Sequence, residues 1–250
     1  MNAGFSAAAG KNIFGTIAGL TPKTFSDGKT SQVAECPDEY GDTAAHDVFG
    51  EVIAPSVEFV VTAAIAKNTT LCVLGSIHSV EIGGVTKKVM LTNCTITTGA
   101  NNPPTVSLSG VEVEAGATAK RTYAVNVDLL PRSKAQDVAG AFTASSKFTQ
   151  ITTTFSVDPH VQTVSGVPVA SDASHGKVEV AATMTDGDGM GTITAAPGGG
   201  FIVTAVPAET DPDANYITRA ATATKFLAGT EARTVSAQNQ DTNGDTAGQA

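Results

Sequence analysis

Tryptophan is absent from the chain, tyrosine occurs three times, and aromatic side chains make up only 5% of its 250 residues. Carbohydrate-binding and carbohydrate-cleaving β modules work with aromatic platforms or with paired carboxylates in a cleft, and the first of those devices is all but missing. Charge is scarce too. Asp, Glu, Lys and Arg total 16%, against roughly 25% in an ordinary globular domain. What charge there is leans negative, with 24 acidic residues, 15 basic ones and a net of −9. An ordinary nucleic-acid surface needs clustered Lys and Arg, so this balance argues against one. A poorly charged chain also fits a surface that neighbouring subunits cover.

The three cysteines, Cys36, Cys72 and Cys94, are odd in number and too widely spaced for a disulfide framework or a zinc cluster. Cys94 reads as a small core residue. The four histidines, His46, His78, His160 and His175, stand apart, with no HExxH, His-x-His or Cys-His spacing. His46 near Asp42 and Asp47, or His175 near Asp172, offers a base for a serine hydrolase, but no G-x-S-x-G elbow accompanies either. Scattered surface histidines are the plainer reading. Asp186-Gly187-Asp188-Gly189 begins like a calcium loop, yet Pro197 stands at the twelfth position, where a bidentate Glu belongs. It reads as a turn, and Asp211-Pro212-Asp213 as a solvated loop. Gly198-Gly199-Gly200 lacks the Lys and the helix of a phosphate loop. These patterns predict no catalytic residue, no metal and no cofactor, and the chain is read as a non-enzyme.

No run approaches the roughly 18 apolar residues of a membrane helix, so no membrane insertion is expected. The opening stretch MNAGFSAAAGKNIFGTIAGL lacks a basic start and is interrupted by Lys11 and Asn12, unlike a signal peptide.

What is present is Thr, Val, Ala, Ser and 25 Gly, with 11 Pro, a vocabulary of strands and turns. The pattern predicts an all-β fold of antiparallel, sandwich- or barrel-like sheets with little helix. At this length it is one large β domain or two of about 100–130 residues. Its centrepiece is a long hairpin over 85–114. The first arm alternates Met90, Thr92, Cys94 and Ile96 with Leu91, Asn93, Thr95 and Thr97. Asn101, Asn102, Pro103 and Pro104 then break the chain. On the return arm Val106 and Leu108 are in step, and at Gly110 the phase slips to Val111 and Val113, the sign of a bulge.

Around that hairpin, residues 1–47 read as an N-terminal arm and loops, 48–131 as a first β half, 132–228 as a second and 229–250 as a polar tail. Strands are predicted over 48–65, 71–82, 123–130, 148–157, 161–169, 177–184, 192–196, 201–206 and 216–227. Gly83-Gly84 supplies a tight turn, and 131–141 is the one place for a linker or short helix. In the last strand Tyr216, Thr218, Ala220, Thr222, Thr224 and Phe226 share a phase. The halves have loosely similar layouts, which suggests a duplication. Lys87-Lys88, Lys120-Arg121 and Arg132 with Lys134 are basic pairs, placed to meet acidic loops such as Asp211 and Asp213 of another subunit. An ordered polar tail would need a neighbouring surface to lie on, and so would the N-terminal arm, which points to an assembly.

The segment LTNCTITTGANNPPTVSLSGVEVE resembles the long hairpin of bacteriophage tail tube and related virion proteins. There a strand ending in T-x-T, a proline-containing loop and a return strand ending in S-x-S-G recur. SHGKVEVAATM and PDANYITRAATATKFL are similar to the closing strands of such proteins, so the resemblance spans about 48–228. The chain is longer than a minimal tube subunit. The resemblance implies a homo-oligomer of stacked rings located in the virion, touching other virion proteins. Hairpins would line an inner barrel, and DNA would pass as non-specific cargo through an acidic lumen. Asn101, Asn102, Pro103, Pro104, Gly110, Asp211 and Asp213 are then the candidate assembly residues. Two other readings share the composition: a capsid decoration protein or other filament subunit, and a β-sandwich carbohydrate-binding module.

Overall fold

The computed structural model describes residue 14 and residues 18–37, 43–67, 69–82, 84–142, 148–164, 167–186, 200–205, 208–210 and 217–231. Among these the only regular element is the β-strand, and every pairing between strands is antiparallel. In chain order the strands are β1 (Leu20–Ser26), β2 (Thr30–Pro37), β3 (Thr43–Val52), β4 (Ser56–Val61), β5 (Thr70–Leu74), β6 (Ile77–Ile82), β7 (Val85–Gly99) and β8 (Thr105–Val113). There follow β9 (Arg121–Asn126), β10 (Phe148–Val164), β11 (Val167–Asp186), β12 (Ile202–Ala205), β13 (Ala208–Thr210), β14 (Ile217–Phe226) and β15 (Thr230–Glu231).

Ten strands form one sheet, ordered β1-β4-β8-β7-β10-β11-β14-β12, with β6 also on β7 and β13 also on β14. The expected boundary near residue 131 therefore does not separate sheets. Strands of the first half fill one flank, strands of the second half fill the other, and β7 meets β10 at a central seam from Asn93↔Ser156 to Gly99↔Gln150. A three-stranded sheet, β15-β9-β5, touches β7, β10 and β11, and β2 pairs with β3 alone. The core lies between the large and small sheets. Leu74, Tyr123, Val125 and Leu129 meet Leu91, Ile96, Leu108 and Ile151 in one buried cluster. Each such side chain contributes about 1.5–3 kcal/mol by leaving water.

The strongest alternations set the faces as predicted. Tyr123, Val125, Val127 and Leu129 are buried, as are Val178, Val180, Ala182 and Met184. Ile82 pairs with Val85, with Gly84 at φ +80° between them; Gly83 of the predicted turn lies outside the described residues.

The 85–114 hairpin is present, and its bulge sits on the other arm. Leu91 pairs with Gly110 and Asn93 with Ser109, which leaves Thr92 as the extra residue. Its hydroxyl donates to the Ser109 carbonyl at 3.3 Å. Gly110 makes room for the crowding: a Cβ there would lie 2.5 Å from the Met90 carbonyl oxygen. Because of the slip Cys94, Ile96 and Thr98 face inward, as do Val89 and Leu91, while Val111 is only half buried.

Several expectations are corrected. Residues 1–47 hold β1, β2 and the start of β3; β1 was hidden because its Pro22 and polar residues suit a sheet edge. The predicted strand over 48–65 is divided between β3 and β4, and that over 71–82 between β5 and β6, with Gly75 at φ +78°. The runs at 148–157 and 161–169 belong to one hairpin, since β10 is continuous through Pro159 and turns into β11 after Val164. Of the two alternatives for 131–141 the short helix is absent, and the segment forms bends and a turn. On β14 the buried residues are Ala221 and Ala223, while Ala220 and Phe226 are exposed, so the core face is the phase opposite to that of Ala220 and Phe226. Ala221 and Ala223 lie against Ala182 and Val180, where the sheet interior takes small side chains. The predicted strand at 192–196 lies outside the described residues.

Candidate functional site

The Asn101–Pro104 loop closes the first hairpin and is tied down at both shoulders. The Ala100 amide donates to the Thr149 carbonyl at 2.9 Å, and the Pro104 carbonyl accepts from the Val61 amide at 3.0 Å. Pro104 is buried, and Asn101, Asn102 and Pro103 form an exposed tip. Gly110 lies inside the sheet, away from that tip, and Asp211 and Asp213 lie outside the described residues. Among the described residues, Gly110 and the tip therefore do not form one patch. Nor does the first hairpin offer a sheet edge. β7 has β8 on one side and β10 on the other; β8 is paired to β4 and, through the amides of Gly110 and Glu112, to Pro55 and Ile53.

Of the two long hairpins, the one with open edges is the second. β7 covers β10 only over Gln150–Ser156, and β14 covers β11 only over Lys177–Asp186. Beyond those limits Asp158–Val164 and Val167–Ser174 pair with each other and with no other described strand. This is a two-stranded ribbon. At its root a bulge sets His175 and Gly176 opposite Val157, with His175 at φ +50°. Gly176 lies on the Tyr123 ring, 2.3 Å from Cδ1 to where a Cβ would stand, so no side chain fits there. One face of the ribbon is held, with Ser171 and Ala173 buried and the Ser171 hydroxyl donating to Glu114 Oε2 at 2.6 Å. Its tip is apolar and open: Val164, Val167 and Val169 are at least half exposed.

The ribbon root also brings together histidines that the sequence showed as isolated. His160 Nε2 lies 2.7 Å from Ser174 Oγ, and His175 Nδ1 lies 2.8 Å from the same oxygen. Asp158 Oδ2 is 3.6 Å from His175 Nδ1. This is the nearest approach to a hydrolytic constellation, and it has the wrong wiring. In a relay the carboxylate holds one imidazole nitrogen while the other faces the hydroxyl; here Asp158 and Ser174 approach the same nitrogen. His175 and Asp158 are also 70% and 69% exposed. The cluster acts as a polar clasp across the ribbon. Among the described residues no group of three or more His, Cys, Asp or Glu is placed to hold a metal.

A cavity of about 660 Å³ lies beneath the 126–142 segment, lined by Lys67, Asp128, Arg132, Lys134 and Asp137 above Phe142 and Phe148. Its polar groups are structural. Gln136 bridges both backbone groups of Leu130 with its side-chain amide, and its own N–H donates to Thr98 Oγ1 at 2.8 Å. The Asp137 carboxylate accepts from the amides of Gly140 and Phe142 at 2.9 and 2.7 Å. Burial nevertheless pushes its pKa up against those donors. Lys87 does not await another subunit: it pairs with Glu112 of its own hairpin at 2.9 Å, and Lys88 donates to Ser79.

The ribbon is the feature that sequence reasoning missed. Its signal was Ser165-Gly166 between two valine-containing runs, a turn dipeptide. A scan against protein-family models and a search of curated proteins both returned no match.

Proposed function

We propose that the chain is a structural subunit that associates with its own copies through sheet edges, building stacked rings of a phage tail tube that conducts DNA. The observation that carries this reading is the Asp158–Ser174 ribbon, with both edges unpaired among the described strands and valines at its tip. An isolated two-stranded ribbon is marginal in water, and its free N–H and C=O groups are a template for another strand. Pairing ribbon to ribbon around a ring continues the sheet and, on closure, leaves no edge. The role first assigned to the 85–114 hairpin thus passes to the second hairpin, since the first has its edges occupied. A net charge of −9 suits a conduit to which DNA must not adhere. Other virion proteins would cap and initiate the tube, and no cofactor is needed for such a role.

Negative-stain electron microscopy and sedimentation over a range of concentrations test the proposal. Rings or hollow tubes at high concentration are expected. A compact monomer at every concentration overturns self-association as an intrinsic property. Closed oligomers that never stack point to a decoration protein.

A further inference from the structure

Two thiols that sequence spacing gave no reason to pair lie together between the sheets. β5 and β7 are joined around Leu91: the Gly75 amide donates to the Leu91 carbonyl at 2.7 Å, and the Leu91 amide donates to the Ser76 carbonyl at 2.9 Å. Cys72 lies three residues before Gly75 and Cys94 three residues after Leu91, so the antiparallel chains carry both away from the joint in step. Both cysteines are unbridged and buried, Cys72 8% exposed and Cys94 0%. They belong to one core cluster, on strands packed against each other. The neighbouring Cys72 thiol, with burial, pushes the Cys94 thiol well up.

We propose that Cys72 and Cys94 are a latent disulfide site, closed by a small-molecule disulfide into a covalent link between the small sheet and the large one. Cys72 keeps a sliver of surface and is the sulfur an incoming reagent reaches first; Cys94 has no path to solvent and acts second. The Cys72 thiolate, its proton lost to solvent, attacks one sulfur of RSSR. A Cys72–S–S–R bond forms, and RS⁻ leaves and takes up a proton. The Cys94 sulfur then attacks Cys72, the bond to R breaks, and the second RSH departs with the proton Cys94 gave up. Two protein thiols are oxidised, and one RSSR is reduced to two RSH. The reduced protein holds its sheets together by packing alone, and the oxidised protein adds a bond across them. The loop closed has 94 − 72 = 22 residues, a size at which a disulfide lowers the unfolding equilibrium constant on the order of a hundredfold.

The test uses the native full chain incubated with oxidised glutathione, alkylated without reductant, digested and mapped by mass spectrometry. A Cys72–Cys94 peptide pair is expected, together with an unfolding constant lowered about a hundredfold and restored by dithiothreitol. The Cys36→Ser variant should form the same link. The proposal is overturned by a persistent glutathione adduct on Cys72, by links through Cys36, by two thiols that remain alkylatable on unfolding, or by a bond that forms only after the protein has first been unfolded in urea.

Discussion

The two long hairpins obey the same local grammar and do different work. Each alternates apolar and polar residues, turns once and carries a bulge beside a glycine, Gly110 in one and Gly176 in the other. β7 and β8 are flanked on both sides and bury Leu91, Ile96, Val106 and Leu108 almost completely. Among the described strands, β10 and β11 have neighbours only at their roots, and they end in exposed valines. What separates a hairpin tied into the sheet from a ribbon with open edges is thus not its own pattern but whether the sheet lends it neighbours. That is a tertiary property, set by register.

The contrast can be broken in the core first. Leu108→Ala removes a side chain with no exposure from the tied hairpin and should cost about 2–5 kcal/mol in urea unfolding. Gly110→Ala comes next, because the new methyl meets a backbone carbonyl that cannot swing aside; about 1–3 kcal/mol is expected. Gly116→Ala, with nothing within 4 Å of the new atom, is its control and should change stability by less than about 0.5 kcal/mol. On the ribbon the pattern should invert. Val167→Lys, at a site 58% exposed, should shift the unfolding midpoint by less than about 0.5 kcal/mol yet abolish concentration-dependent sedimentation. A fold that collapses, or tubes that persist, would erase the proposed distinction.

The smallest effect is one of pH, and it belongs to the tied side. His78 on β6 sits edge-on to Phe14 at 5.6 Å, and burial lowers its pKa from the ordinary 6.5. The folded state therefore prefers the neutral ring. As pH falls below 6.5 the unfolded chain takes up a proton before the folded one does, so stability is full above 6.5 and declines toward the folded pKa. His78→Gln should flatten that limb of a plot of urea midpoint against pH.

Fold class was legible because Tyr123 to Leu129 and Val178 to Met184 alternate without interruption. Where pattern failed, context decided. Pro159 looked like a break, yet it sits opposite Ala173 in a ribbon whose outer edge asks nothing of its missing N–H. On β14 the pattern gives a phase but no core face, and the register against Val180 and Ala182 shows that Ala221 and Ala223 point inward. Of the candidate site, the exposed tip at Asn101–Pro103 was visible. The ribbon's open edges and the meeting of Cys72 with Cys94 were not, because each depends on strands more than a turn away in sequence.

The seam between β7 and β10 has a consequence for how the molecule breathes. Its strands lie mid-sheet, with Cys94, Ile96 and Ile151 inward and buried. Its amides cannot reach water without parting one flank from the other. In heavy water the Asn93–Gly99 and Gln150–Ser156 amides should therefore be among the last to exchange, at the free energy of global unfolding. Those along the outer edges of Asp158–Ser174 should exchange early, and association should slow them selectively.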